Sequence, residues 1–228
     1  MAAAGRFEVL TGDLIGSRRP GADTAMLPRI FAEALDPAPY AGLKWPARVV
    51  GSQSRRGDEF QLVIRPAATG GLAAALFLLC ALKRATPALE ARIAVGVGGA
   101  DYFDADPPGG GFQGDGEAFQ ASGLLLETMK KDGRRVAVTT PWPAVNAELM
   151  VACRLLDEIV AQWTPQQAAS MQALLRGETQ ETAAETAGIS QSAVAQRLRR
   201  AGASAVRALL ERYAQLLSTV RSGEEEWS

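Results

Sequence analysis

Three carboxylates stand out by their placement. Asp13 follows the apolar run Phe7 to Leu10 in the segment TGDLIGSR, and Asp58 and Glu59 close a polar stretch in RRGDEF. If the strands carrying these segments are neighbours, the acids meet at one edge of a sheet. Hard divalent cations such as magnesium or manganese take oxygen ligands and complete their shell with water and phosphate. Asp13, Asp58 and the carbonyl of Leu14 would supply half of such a shell, and a metal held there neutralises phosphate charge and activates a hydroxyl. Gly16 and Ser17 add backbone amides and a hydroxyl, and Arg18 and Arg19 add charge-matched donors for phosphate, with Arg55 and Arg56 flanking the second acidic pair. The plainer alternative is that Asp and Gly are common turn residues. A lone GDEF would favour it; a second acid at a strand end shifts the balance to a metal site.

The composition removes other chemistries. There is no histidine, which excludes imidazole bases, Ser-His-Asp triads and His-ligated zinc. The two cysteines, Cys80 and Cys153, stand far apart in apolar, helix-like runs and read as buried thiols rather than metal ligands or a disulfide. The net charge of -1 offers no overall basic field, so any contact with DNA requires a local patch. The start, MAAAGRFEVL, lacks the basic-then-apolar order of a signal peptide. The longest apolar run, Leu72 to Leu82, is about half of the ~20 residues that a membrane helix needs. We therefore expect a soluble, cytoplasmic protein with no membrane partner.

The elements that must position the acids follow from periodicity. Phe7–Leu10 reads as a strand ending in Thr11-Gly12-Asp13, and Thr24–Leu35 as an amphipathic helix stopped by Asp36-Pro37. Arg48–Gly51 and Phe60–Ile64 read as a hairpin with Ser52–Gly57 as its turn. An apolar helix over Leu72–Arg84, a strand at Ile93–Val97, a loop over Asp101–Gly116, a helix over Glu117–Lys131 and a strand at Arg135–Val138 follow. Phe119 reads as a packing residue. Pro141-Trp142-Pro143 marks a boundary, after which the pattern is helical throughout. The order is that of a split βαβ plan with one added unit, an α+β fold with helices packed on one antiparallel-rich sheet.

In the last third, Thr164-Pro165 opens a helix that Gly177 ends. A short helix over Thr179–Thr186, the turn Ala187-Gly188-Ile189-Ser190 and a further helix over Gln191–Ala201 follow, with Ala183, Ala184, Ala187, Ile189, Val194 and Leu198 as the apolar set between them. The segment TQETAAETAGISQSAVAQRLRRA resembles the helix-turn-helix of sigma-factor region four and of response-regulator output domains. The resemblance implies double-stranded DNA as a partner, with Ser190, Gln191, Ser192, Gln196 and Arg197 near base edges and Arg199 and Arg200 on phosphates. Arg207, Arg154 and Arg176 are further members of the expected basic patch. The bland alternative is that these helices serve assembly rather than DNA.

The motifs TGDLIGSR, GDEFQ, RIAVGVG and GDGEAFQA, in this order over residues 6 to 140, resemble the SatD family, which is similar in fold to the palm of GGDEF proteins and class III nucleotide cyclases. SatD-like chains often carry a trailing helix-turn-helix. The resemblance implies a ferredoxin-like, palm-type domain over residues 1–143 and a helical domain over residues 144–228. It implies Asp13 and Asp58 as metal ligands, with Glu59 as a further ligand or proton acceptor, and so marks these three as the catalytic set. It implies that the amides from Leu14 through Ile15 and Gly16 to Ser17 hold phosphates beside Arg18, and that Gly57 lets the hairpin approach a nucleotide closely. Two positions depart from the pattern: Arg56 stands where the cyclase hairpin usually has its first glycine, and Ser122 stands where related chains place a lysine or arginine. Arg18 or Arg92 is then left to grip a triphosphate.

Three readings remain open at this stage. The first is a magnesium-dependent nucleotidyl cyclase or nucleotidyltransferase acting on a nucleoside triphosphate, for which a homodimer with facing sites is expected. The second is a regulator that senses a nucleotide without turning it over and binds DNA. The third is an interaction protein with both sites vestigial, against which the clustered like charges argue, since they repel when no cation comes.

Overall fold

The computed structural model describes residues 3–16, 29–30, 48–55, 58–65, 70–85, 89–108 and 110–225. Within them the strands are β1 (Ala3–Ile15), β2 (Arg48–Arg55), β3 (Glu59–Arg65), β4 (Glu90–Ala100), β5 (Tyr102–Asp104), β6 (Gln113–Asp115) and β7 (Val136–Thr139). The helices are α1 (Gly71–Ala85), α2 (Glu117–Asp132), α3 (Pro143–Ala161), α4 (Pro165–Leu175), α5 (Gln180–Ala187), α6 (Gln191–Arg200) and α7 (Ala203–Glu225). The fold is α+β. Five strands form one mixed sheet in the order β2-β3-β1-β4-β7, in which only β4 and β7 run parallel; β5 and β6 form a separate hairpin.

Strand alternation divides the sheet into two faces. On one face the register aligns Leu62, Leu10, Val95 and Val138 across four strands, and all four are buried against α1. On the other face Gln61, Thr11, Ala94 and Ala137 align beneath α2. Gly96 of β4 lets α2 come close, because a Cβ there would stand 2.4 Å from the Ala118 carbonyl oxygen.

α1 is apolar on every side, as its sequence requires of a helix with no solvent face. All its residues from Gly71 to Leu82 are buried. Each fully buried Leu or Phe contributes ~1.5–3 kcal/mol. Propensity differences among ordinary helix residues stay below ~0.7 kcal/mol, so packing fixes this helix. The sheet covers one side of it and α4 and α7 cover the other, giving a single apolar core that runs from Leu10 through Leu76 to Tyr213 and Leu217.

One buried acid joins these layers. Glu8 of β1 is fully buried, and its Oε2 accepts the backbone N–H groups of Gly70 (3.0 Å) and Gly71 (2.9 Å) at the start of α1. Its Oε1 accepts the hydroxyl of Tyr213 from α7. Amides at a helix start are otherwise unpaired and carry partial positive charge, so a carboxylate there satisfies them and is satisfied in turn.

Several expectations are corrected. The first strand runs on through Thr11-Gly12-Asp13 to Ile15, because Gly12 serves close packing and not a turn: a Cβ on it would lie 2.4 Å from the Phe60 ring. The hairpin turn is shorter than Ser52–Gly57, since β2 continues to Arg55, which pairs with Glu59. An edge strand with a hydrated face tolerates that polar sequence. The expected loop Asp101–Gly116 contains the β5–β6 hairpin, pinned by Phe103 and Phe112 against Phe7 and Phe119. Phe119 packs as expected. The helix expected over Thr24–Leu35 lies outside the described residues except Arg29 and Ile30, which are helical.

Burial pushes the Glu8 carboxyl above the ordinary value of 4.5, against the donors from Tyr213, Gly70 and Gly71 that pull it down. An acid raised on folding binds its proton more tightly in the folded chain. The stability it contributes is therefore full below 4.5 and declines as pH rises through the folded value. We expect Glu8→Gln to flatten this part of the pH dependence in urea unfolding, and Tyr213→Phe to destabilise the chain by about 1–3 kcal/mol in the same measurement.

Candidate functional site

The antiparallel register builds the acidic site directly. Asp13 of β1 lies opposite Glu59 of β3 on one side and opposite Arg92 of β4 on the other, so the three side chains form a row on the α2 face of the sheet. Arg92 Nη1 lies 3.3 Å from both carboxylate oxygens of Asp13. Lys130 of α2 reaches the same row, with Nζ 3.5 Å from Glu59, 3.9 Å from Asp13 and 2.7 Å from Glu127. Asp58 closes the end of the hairpin, where its carbonyl accepts the Leu14 N–H at 3.1 Å. In an antiparallel ladder a residue's N–H and C=O address the same neighbouring strand, so the Leu14 carbonyl also points toward β3.

Electrostatics follow from this packing. Burial raises the Asp13 carboxyl above its ordinary range; Arg92 and then Lys130 oppose the rise, and Asp58 adds to it. Three carboxylates thus face two cations, and Lys130 has its tightest contact with exposed Glu127 rather than with the row. The Nε of Arg92 is buried with no hydrogen-bond partner among the described residues. Among the described residues, no group of three or more Cys, Asp or Glu side chains converges closely enough to enclose a metal by itself.

The expected site residues fall into three groups. Asp13, Leu14, Asp58 and Glu59 come together at the β1–β3 edge. Ile15 ends β1, and Gly16 turns with a φ of 76°. Ser17, Arg18, Arg56 and Gly57 lie outside the described residues, as does the side chain of Arg55. Ser122 is fully buried, its hydroxyl 2.7 Å from that of Thr11 and donating to the Phe119 carbonyl, so a long cation has no room at that position. Lys130, on the flank of the same helix, is the cation that this helix brings beside Asp13 and Glu59. Sequence reasoning missed it, although its spacing of three from Glu127 and its place in the last turn of α2 were available signals. Cys80 and Cys153 are buried, and burial pushes both thiols up, Cys153 to about 12, which makes them inert.

The C-terminal helices form as their caps dictate. Thr164 and Gln167 make a reciprocal cap on α4, and Pro165 occupies its first turn. Thr179 caps α5, and Ser190 caps α6 by accepting from the Ala193 N–H at 3.2 Å. Gly188 ends α5 in the left-handed region at φ 63°. Ala183, Ala184, Val194 and Leu198 form a small core with Ile189 at its rim, whereas Ala187 is exposed and does not belong to it, because it sits on the outer side at the end of α5. Ser190, Gln191, Ser192, Gln196, Arg199 and Arg200 are exposed and Arg197 is half-buried. Arg197, Arg199, Arg200 and Arg207 have no carboxylate partner among the described residues. Arg154 lies 3.9 Å from Asp132, and Arg176 sits over the Phe77 ring and 3.8 Å from Glu178, so both are occupied elsewhere.

Set against known proteins, the chain matches no family model and no curated protein. Among the described residues, no helix is long and apolar enough to cross a membrane.

Removing either cation relieves the downward pull on Asp13. We expect Arg92→Met to raise the Asp13 pKa further than Lys130→Met, because Arg92 is the larger opposing influence. Carbon-detected NMR titration of the Asp13 carboxyl reads both shifts.

Proposed function

We propose that this chain is a SatD-like, palm-type protein that binds a nucleotide through a divalent metal at the Glu59–Asp13–Arg92 row and binds DNA through a C-terminal helix-turn-helix. The observation that carries the nucleotide reading is the row itself. Carboxylates for a cation and two cations for phosphate stand on adjacent strands and one helix, at the end of β1 where the chain turns at Gly16. The antiparallel order β4-β1-β3-β2 agrees with the split βαβ plan that a palm domain uses.

The donor set fits magnesium or manganese in type and charge. Asp13, Asp58 and the Leu14 carbonyl would hold the ion, with Glu59 joining as a further ligand once Lys130 leaves it and with water and phosphate completing the shell. When bound, the metal supplies charge neutralisation at the phosphates. Arg92 offers its guanidinium, through the Nη1 end that meets Asp13, to a phosphate oxygen, and Lys130 exchanges Glu59 for the triphosphate while keeping Glu127. In an enzyme of this design the reaction is a cyclisation or nucleotidyl transfer in which a 3′-hydroxyl loses its proton and attacks the α-phosphorus, the α–β phosphoanhydride bond breaks and pyrophosphate leaves, in a homodimer with facing sites.

A second reading, a nucleotide-sensing regulator without turnover, is favoured by one observation. The helices that precede and follow α5 and α6, namely α4 and α7, pack directly on α1 and so on the sheet that carries the acids. A ligand that binds one arrangement of these layers better than another shifts the helix-turn-helix with them.

Three measurements test these assignments. Incubation with each nucleoside triphosphate and magnesium or manganese, read by mass spectrometry, gives a cyclic or linked product in the enzyme reading and none in the sensor reading. In either, Asp58→Ala abolishes metal-dependent nucleotide binding; unchanged binding removes the metal assignment. The double change Arg197→Ala and Arg200→Ala lowers affinity for duplex DNA and flattens its salt dependence by roughly 0.9 in log–log slope per lost phosphate contact. Unaltered DNA affinity leaves these helices a structural role.

A further inference from the structure

Beside the acidic row lies a cleft of about 240 Å³ lined by Thr11, Gln61, Asp115, Phe119, Gln120 and Gly123. Its position follows from the register. Thr11 pairs with Gln61 one same-face step from the Asp13–Glu59 pair, roughly 7 Å along the strands. Its outer wall follows from helical spacing: Gln120, Gly123, Glu127 and Lys130 recur every three or four residues and share one flank of α2. Cleft and acidic row thus lie side by side over β1 and β3, one same-face step apart.

The two differ in chemistry. The acidic row carries Arg92 and Lys130, whereas no lysine or arginine lines the cleft, and Asp115 there would repel a phosphate. What the cleft offers is hydrogen bonding from two amides, a hydroxyl and one carboxylate against an aromatic wall. Gln61 is only 5% exposed, and it is held in place by donating to Thr11 at 3.1 Å and accepting from Gln53 at 3.4 Å. An amide has two N–H groups and two acceptor sites, so Gln61 retains one of each at the cleft. Asp115 uses Oδ1 for the Gly116 N–H and the Gln120 amide, and its other oxygen accepts nothing among the described residues.

Gly123 is the second, independent observation. Glycine is disfavoured in a helix interior, and no atom lies within 4 Å of the place its Cβ would take. Packing therefore does not call for glycine, but its missing side chain leaves the cleft wall open.

We infer that this cleft is the base-reading half of the nucleotide site: an uncharged heterocycle with donors and acceptors on its edge lies against Phe119 and pairs with Gln61, Gln120 and Asp115, while its phosphates extend to Arg92 and Lys130. The volume agrees, being below the ~300–1,000 Å³ of pockets that enclose a whole ligand and so suited to the base alone. The inference rests on the nucleotide reading of the acidic row.

The experiment is calorimetric titration of the full chain, with magnesium, by the four ribonucleosides, their triphosphates and inorganic tripolyphosphate. Wild-type protein binds at least one nucleoside and its triphosphate. Gly123→Met, which improves helix propensity and meets no neighbour, retains the wild-type melting temperature. It lowers affinity for both ligands at least tenfold and leaves tripolyphosphate binding unchanged. Gln61→Leu lowers nucleoside affinity in the same direction. Triphosphate affinity within twofold of wild type in Gly123→Met overturns the cleft assignment, as does a parallel loss of tripolyphosphate binding. Nucleoside binding without any binding of tripolyphosphate leaves the cleft standing and removes the nucleotide reading of the acidic row.

Discussion

The Glu8 carboxylate is the point on which the layers of this protein depend. It is a charged residue type at full burial, and such a group persists in a core only when its oxygens are met by donors. Those donors come from two places far from Glu8 in the chain: the amides of Gly70 and Gly71 at the start of α1 and the hydroxyl of Tyr213 in α7. Satisfying one acid therefore fixes the depth of β1, the start of α1 and the seating of α7 together. α1 then has no face left for solvent, and its Leu and Phe side chains weld the sheet to the C-terminal helices.

The same strand sets the opposite face. Because side chains alternate, directing Glu8 toward α1 commits Val9, Thr11 and Asp13 to the side of α2. A slip of one residue would bury Asp13 in the apolar core and expose Leu10. The acids, the hydroxyl–amide chain from Ser122 through Thr11 to Gln61, and the cations that face them are thus consequences of one register choice. The tight seat of α2 on Gly96 keeps Lys130 over the row.

Much of this was legible in the sequence where a local pattern carries the physics. The caps Thr164 and Ser190, the turn at Gly188 and the apolar helix read over Leu72–Arg84 were readable from residue type and spacing, whereas Thr179 reads as the first residue of the short helix and is in fact its cap. The meeting of Asp13 with Glu59 was readable from element order. What was not readable depends on partners distant in the chain. Gly12 looks like a turn glycine until the Phe60 ring is seen above it. Ser52 to Arg55 look like a turn until Gln53 is seen against Gln61. Glu8, in FEVL, reads as a polar residue on an ordinary strand, and nothing nearby announces a tyrosine 205 residues away. Lys130 was hidden for a different reason: its helix was read for packing, and its flank was not traced over the acids.

The Glu8–Tyr213 contact also governs when the protein can finish folding. Contacts of such sequence separation are slow to form because loop closure precedes any gain from them. During synthesis the sheet and α1 emerge first, with the outer side of α1 apolar and bare. That surface stays uncovered until α4 and then α7 have left the ribosome, with α7 following α1 by more than half of the chain. The nascent chain therefore spends much of its synthesis as a sticky half-core, and a stop codon ahead of α4 would leave that surface bare permanently.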